Sequence, residues 1–417
     1  MLGSSARLGE TSGPPEVSFD LVVRNVRPLG GAAVDLAARH GRWAEIGSVR
    51  GQGRIEIDGR GLLGLPGLVD GHMHFDKTLL GVPWHSHVPG DTVQERIRAE
   101  KSIYASLPAE SIAERAGRLA ERALRHGTTS IRTHVDVAPD RGLAPLEAVL
   151  AVRQQYREWL QVQIVAFPQS GVVTAPGTVE LLDAAVDAGA DLVGGLDPLD
   201  FDHDLDGQLD AIFGVARRHG VGLDIHLHDP AEIGAVTLEA IAARTVAEGL
   251  AGRVAVSHAY GLGDLPSHRL AQVAEVLAGA GVSIMTTAPG RGSFPPIDVL
   301  IAAGVGVFSG SDNVRDPWEP FGDADLLERA MLIAYRMDWR LDAWLTEALR
   351  LVTDRAASAL ELGPYGLATG APADLVLVDA EVVAEAVVAR PPRELVVARG
   401  RVLRPLSSSN QPEVELV

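Results

Sequence analysis

The run PGLVDGHMHFDKT, residues 66–78, ends its apolar stretch on His72 and His74, two of only 13 histidines in the chain. Residues i and i+2 of a β-strand point to the same side, so both imidazoles can grip one ion. Zinc and ferrous iron accept neutral imidazole together with carboxylate oxygen and leave a position open for water. Such an ion lowers the pKa of its water to about 7, which makes hydroxide available at neutral pH. Other apolar runs end in similar residues: His134 and Asp136 in IRTHVDV, Gln169 in QIVAFPQ, and His226, His228 and Asp229 in DIHLHD. His258 follows in VSHAY, then Asp312 with Asn313 in SGSDN.

Taken singly, each residue has a plainer explanation. A lone histidine at a strand end is commonly a hydrogen-bonded structural residue, and two in an HxH pattern are easy to find. An aspartate after a strand often caps the next helix, which applies to Asp229 before Pro230 and to Asp312. His134 can brace a metal ligand rather than be one. His85 and His87, beside Pro83 and Trp84, read as surface or lid residues, and His40, His126, His203, His219 and His268 fall in helices or loops. Coincidence of place favours the chemical reading, because five separate strands deliver compatible groups to one rim.

The elements that must position them recur regularly. Apolar strand candidates lie at 67–74, 128–137, 160–169, 190–197, 221–229, 253–260, 282–289 and 304–313. Stretches of helical period, such as PAESIAERAGRLAERALRHG and LDAIFGVARRHG, separate most of them. Eight Val- and Ile-rich strands alternating with helices predict an α/β chain with a parallel (β/α)8 TIM barrel, whose chemistry sits at the C-terminal ends of the strands. A doubly wound open sheet is the competitor, but no Gly-rich nucleotide fingerprint follows any strand. FDLVVRNVRP (19–28), RWAEIGSV (42–49) and GRIEIDGRG (53–61) at one end, and ADLVLVDAE (373–381) and PRELVVARGRVLRP (392–405) at the other, read as strands of a small β-sandwich. The expected organisation is a flexible tail over 1–16, a sandwich from 17–64 and 366–417, and a catalytic barrel over 65–365.

Composition narrows the function. Lys and Arg total 37 against 55 Asp and Glu, a formal charge of −18, and basic residues do not cluster with aromatics. A nucleic-acid partner is not expected. There is no cysteine, which excludes disulfides, Cys-ligated metal sites and the deaminases that hold zinc by a His/Cys/Cys set. The N-terminus lacks the apolar core of a signal peptide and no apolar stretch has the length to cross a bilayer, so a cytoplasmic protein without a membrane partner is expected. A homo-oligomer is compatible with the sequence.

GLVDGHMHFDKT, IRTHVDV, QIVAFPQSG, DIHLHD, VSHAYGLG and SGSDNVRDPWEPFG together resemble the amidohydrolase superfamily in its cytosine deaminase-like branch. The resemblance spans residues 20–405 and implies a (β/α)8 barrel, a sandwich built from both termini and one divalent metal ion, zinc or iron. Carried over by position, it implies His72, His74, His226 and Asp312 as metal ligands. Asp312 would also accept a proton from the water, and His258 would orient that water and stabilise the oxyanion. Gln169 would bond the polar edge of a heterocyclic substrate and Trp318 would line the pocket. Superfamily members with two metals bridge them by a carboxylated lysine at strand four; this chain has only Lys77 and Lys101, neither of them there.

Where the branch carries a glutamate that moves a proton to the leaving amine, this chain has Asp229, with His228 or Glu232 as substitutes. Asn313 replaces a second aspartate. Lys77, Arg315 and Arg291, the last in APGRGSFPP, suggest a substrate with carbonyl or carboxylate acceptors. The expected activity is hydrolysis of an exocyclic C–N bond of a pyrimidine, pterin or triazine-like heterocycle. The alternatives are cleavage of a cyclic or N-substituted amide in the same site and, in another class, a non-catalytic homologue acting as a binding protein.

Overall fold

A computed structural model describes residues 17–90, 92–107, 111–290 and 292–403; the expected tail lies outside these residues. The N-terminal flank forms five strands, β1 (Val17–Pro28), β2 (Val34–Arg39), β3 (Arg42–Gly47), β4 (Gln52–Asp58) and β5 (Leu63–Leu65). The chain then enters β6 (Leu68–Met73), β7 (Thr128–Asp136), β8 (Gln161–Phe167), β9 (Leu192–Leu196), β10 (Gly222–Leu227), β11 (Val254–His258), β12 (Val282–Met285) and β13 (Val307–Phe308). It returns to the flank as β14 (Leu375–Val378), β15 (Arg393–Ala398) and β16 (Arg401–Leu403).

Strands β6 to β13 pair in sequence order, each parallel to the next. Helices lie between them. Two, α1 (Val93–Tyr104) and α2 (Ser111–Arg125), follow β6; α3 (Ala144–Tyr156), α4 (Thr178–Ala188), α5 (Leu205–His219), α6 (Ala231–Ala247), α7 (Ser267–Ala280) and α8 (Ile297–Ala302) follow the next six strands in turn. Their apolar sides close one continuous core against the strands, through residues such as Leu119, Val149, Leu182, Ile212, Leu238 and Val273. Full burial of each such side chain contributes about 1.5–3 kcal/mol. No helix among the described residues is long and apolar enough to cross a membrane.

The barrel closes between β13 and β6 by backbone contact rather than a full ladder. The Gly71 amide donates to the Ser309 carbonyl at 3.0 Å, and the Asp312 amide donates to the His72 carbonyl at 2.7 Å. Gly310 makes this approach possible, since a Cβ there would lie 2.4 Å from the His72 nitrogen. Asp70 locks the seam by accepting the Ser311 amide (2.9 Å) and the Ser311 hydroxyl (2.6 Å).

In the flank, β1 pairs with β2 and β4 along most of its length and with β5 at its end, and β5 carries the sheet on to β14, β15 and β16. Leu21, Val23, Leu36 and Trp43 meet Leu375, Leu377, Leu395 and Val397 in one shared core, the sandwich arrangement expected. Two details differ from the sequence reading. The run 392–405 is not one strand, because Arg399 and Gly400 adopt φ of 50° and 75° and turn the chain into a hairpin. VDLAAR (34–39) also forms a strand, β2, because pairing on both sides with β1 and β3 outweighs its weak β propensity.

Candidate active site

Three barrel strands carry polar residues at every second position: Asp70, His72 and His74 on or just past β6; Arg132, His134 and Asp136 on β7; Asp224, His226 and His228 on or just past β10. That period points each set to one side, here into the barrel. His72, His74, His134, His226 and His258 are all buried. Ring centroids lie 4.0 Å apart for His72–His134, 4.7 Å for His72–His226 and 5.2 Å for His72–His258. The seam adds Asp312, whose Oδ1 lies 3.5 Å from His72 Nε2 and 3.3 Å from His74 Nε2. His258 and Asp312 hold φ of 75° and 58°, a left-handed conformation that is costly for non-glycine residues and clusters at functional sites.

Hydrogen bonds set the tautomers. His74 Nδ1 faces the His134 carbonyl at 3.2 Å; a carbonyl only accepts, so Nδ1 carries the proton and Nε2 a lone pair. The Ser257 hydroxyl donates to Asp224 Oδ1 at 2.7 Å and lies 2.9 Å from His72 Nδ1. Its one proton spent on Asp224, Ser257 accepts from His72 Nδ1 and leaves Nε2 free. Asp224 is itself held by Arg132 at 2.9 Å.

These atoms fit a divalent cation. Burial, reinforced by Lys77, pushes His74 down to about 3, and burial also holds His134, His226 and His258 well below the usual histidine range. The Asp312 carboxylate faces the same rings, with Oδ1 3.5 Å from His72 Nε2 and Oδ2 3.9 Å from His258 Nδ1. Neutral nitrogen lone pairs thus face an ionised carboxylate, a repulsive set that a cation turns attractive. His72 Nε2 and both ring nitrogens of His226 and His134 are buried without a hydrogen-bond partner. Two overlapping triads, His72–His134–His226 and His72–His258–Asp312, keep their ligand atoms within 4.8 Å of one another. The four residues named from the sequence as ligands meet on this rim, and His134 sits among them as closely as His226 does.

Around the mouth, Lys77 is buried and donates to Gln169 Oε1, with Nζ over the Phe167 and Trp318 rings at 5.2 and 5.4 Å. Asn313 donates to Asp316 at 2.6 Å. His228 Nδ1 lies 2.8 Å from Asp197 Oδ2, and its ring stacks on His258 at 4.8 Å. Burial lowers His228, but Asp197, Asp312 and Asp229 outweigh it and raise its pKa. Asp229 is buried against Thr237 of α6, whose hydroxyl lies 3.4 Å away, and burial with Asp197 and Asp200 nearby pushes it up to about 7. Glu232 pairs with Arg269 on the surface at 2.8 Å. Arg315 is exposed and lines an outer groove with Trp84, His85 and His87. Arg291 lies outside the described residues.

The amidohydrolase family model matches residues 56–404, most of the chain. The chain belongs to the amidohydrolase family. A crystal structure of N-isopropylammelide isopropylaminohydrolase from Burkholderia multivorans shares 45% identity with it, at a TM-score of 0.88, over 92% of this chain and 97% of the other. The 5-methylcytosine deaminase of Klebsiella pneumoniae, liganded with phosphonocytosine, shares 29% identity at a TM-score of 0.83, over 94% and 100% of the two chains. Pterin deaminase of Rhizobium rhizogenes is 29% identical over 410 residues, 93% of this chain and 87% of its own. This amidohydrolase is a metal-dependent hydrolase of C–N bonds.

Several residues of the amidohydrolase site escape a reading of motifs. Asp70 and Asp224 carry a signal, the period-two polar pattern, that can be seen in the sequence. Ser257, Asp197 and Glu100 carry none, because each is defined by a partner far away in the chain: Ser257 by Asp224, Asp197 by His228, and Glu100 by Gln169 and Trp318.

Proposed function

We propose that this chain hydrolyses the exocyclic C–N bond of an oxo-bearing nitrogen heterocycle and releases an amine, with N-isopropylammelide, the compound in its 45%-identical relative's name, as the leading candidate. The observation that carries this reading is the pair of buried donors Lys77 and Gln169 beside the histidine cluster, a wall suited to ring carbonyl acceptors. His72, His74, His226 and Asp312 would hold one zinc or iron ion, which when bound supplies Lewis acidity and activates water as a nucleophile.

The chain's own groups do the rest. Asp312 takes the proton of the attacking water at Oδ2, the oxygen turned toward His258 Nδ1 at 3.9 Å. His258 stabilises the negative charge that develops on oxygen at the attacked ring carbon. Asp197 holds His228 at Nδ1 and turns its Nε2 away from the pair, so Nε2 hands a proton to the departing amine. In this reading His228 takes the role the sequence suggested for Asp229, whose carboxyl is turned to Thr237. Trp318 and Phe167 flank the ring site.

A release assay on metal-loaded protein with N-isopropylammelide, pterin and 5-methylcytosine tests the reading. Isopropylamine is expected from the first, and His228→Asn should lower kcat about 10²–10⁴-fold. Silence on all three compounds sinks it.

A further inference from the structure

The helix α1 docks on the pocket through Ile97, Glu100 and Tyr104, spaced to share one face. Thr92 starts it with a capping box that engages Glu95. Ile97 packs with Phe167, Leu196 and Trp318, and the Tyr104 hydroxyl donates to the Lys77 carbonyl. Glu100 is the unexpected member, a glutamate buried to 1% relative exposure. A buried carboxylate is costly unless donors satisfy it. Here three separate segments answer it: Gln169 Nε2 donates at 3.0 Å, Trp318 Nε1 donates at 2.5 Å and the Lys77 ammonium forms an ion pair at 3.7 Å.

We propose that Glu100 is a positioning residue that holds Lys77, Gln169 and Trp318 as one unit, so that the wall offers N–H donors to a substrate edge of acceptors. By accepting from Gln169 Nε2, Glu100 orients the amide. Oε1 then faces Lys77, and the second N–H of Nε2 is left for the substrate. Lys77 keeps N–H groups beyond the one given to Gln169. Trp318, tied at Nε1, is held as a flat face rather than a donor. The pocket therefore selects a ring edge carrying two acceptors, such as carbonyl oxygen beside carbonyl oxygen or unprotonated ring nitrogen. This substrate class rests on the function proposed above, whereas the hold on Lys77 does not.

The lysine count provides the test. Lys77 and Lys101 are the only lysines, and Lys101 pairs instead with Asp140 at 2.8 Å, so peptide mass spectrometry after reductive methylation reads both in one metal-loaded sample. Glu100 holds the Lys77 ammonium in the wall, so Glu100→Gln should free it and speed Lys77 methylation about tenfold while Lys101 stays unchanged. The same variant should raise KM for N-isopropylammelide about tenfold with kcat changed less than about twofold, the pattern of lost uniform binding. Glu100→Asp should recover part of the loss. An unchanged Lys77 to Lys101 ratio overturns the proposal; so does a rise at both lysines, which would mean that α1 has merely come loose. If the wild-type protein leaves N-isopropylammelide untouched, the substrate assignment fails and the methylation ratio alone judges Glu100.

Discussion

The histidine cluster rides on or just past strands β6, β7, β10 and β11, whose parallel pairing brings these side chains to one rim. Lys77, Gln169 and Trp318 sit just beyond strands or in loops, and what aligns them is one carboxylate on a helix. The floor of the pocket is therefore specified by backbone pairing, and its wall by side-chain contacts. Backbone register is shared by many residues and resists single changes. A side-chain network around one carboxylate can be retuned by substituting one residue, which suits the part of the site that must match a substrate.

The largest effect should follow from removing the one floor residue that does two jobs. Asp312→Ala should abolish turnover and lower metal content, read by amine release and metal analysis on the same preparation; retained activity would break the assignment of the floor. Gly310→Ala attacks the register itself. A Cβ 2.4 Å from the His72 nitrogen must open the seam, with a loss of about 1–3 kcal/mol in urea unfolding and weaker metal retention. Ser257→Ala leaves register intact but removes the acceptor that fixes His72, so metal affinity in chelator competition should fall about 10–100-fold. An unchanged affinity would show that strand position alone aims His72. On the wall, Trp318→Phe removes one donor from Glu100 and should raise KM about fivefold while metal content is untouched. If metal content fell too, floor and wall would not be separable.

Much of the site was legible because period-two polarity survives in a sequence. DGHMH, RTHVD and DIHLH each show alternate polar residues in an otherwise apolar run, which a half-polar barrel interior requires. Asp229 shows what that pattern leaves open. Its place three residues after His226 suggests a proton carrier; the chain turns into α6 directly after it, its Oδ2 lies 3.4 Å from the Thr237 hydroxyl and its Oδ1 is buried without a partner. His228, one residue earlier, keeps the strand's inward phase and meets Asp197.

The sequence by itself determined the alternation of strands and helices, the histidine pattern, the lack of cysteine and the poverty in lysine, since all are local or countable. Only the tertiary structure decided which lone pairs face Asp312, that Ser257 and Asp224 set the His72 tautomer, and that Glu100 gathers the pocket wall. Each of these joins residues 23 to 240 positions apart in the chain, and side-chain direction at such separations exists only once the barrel has closed.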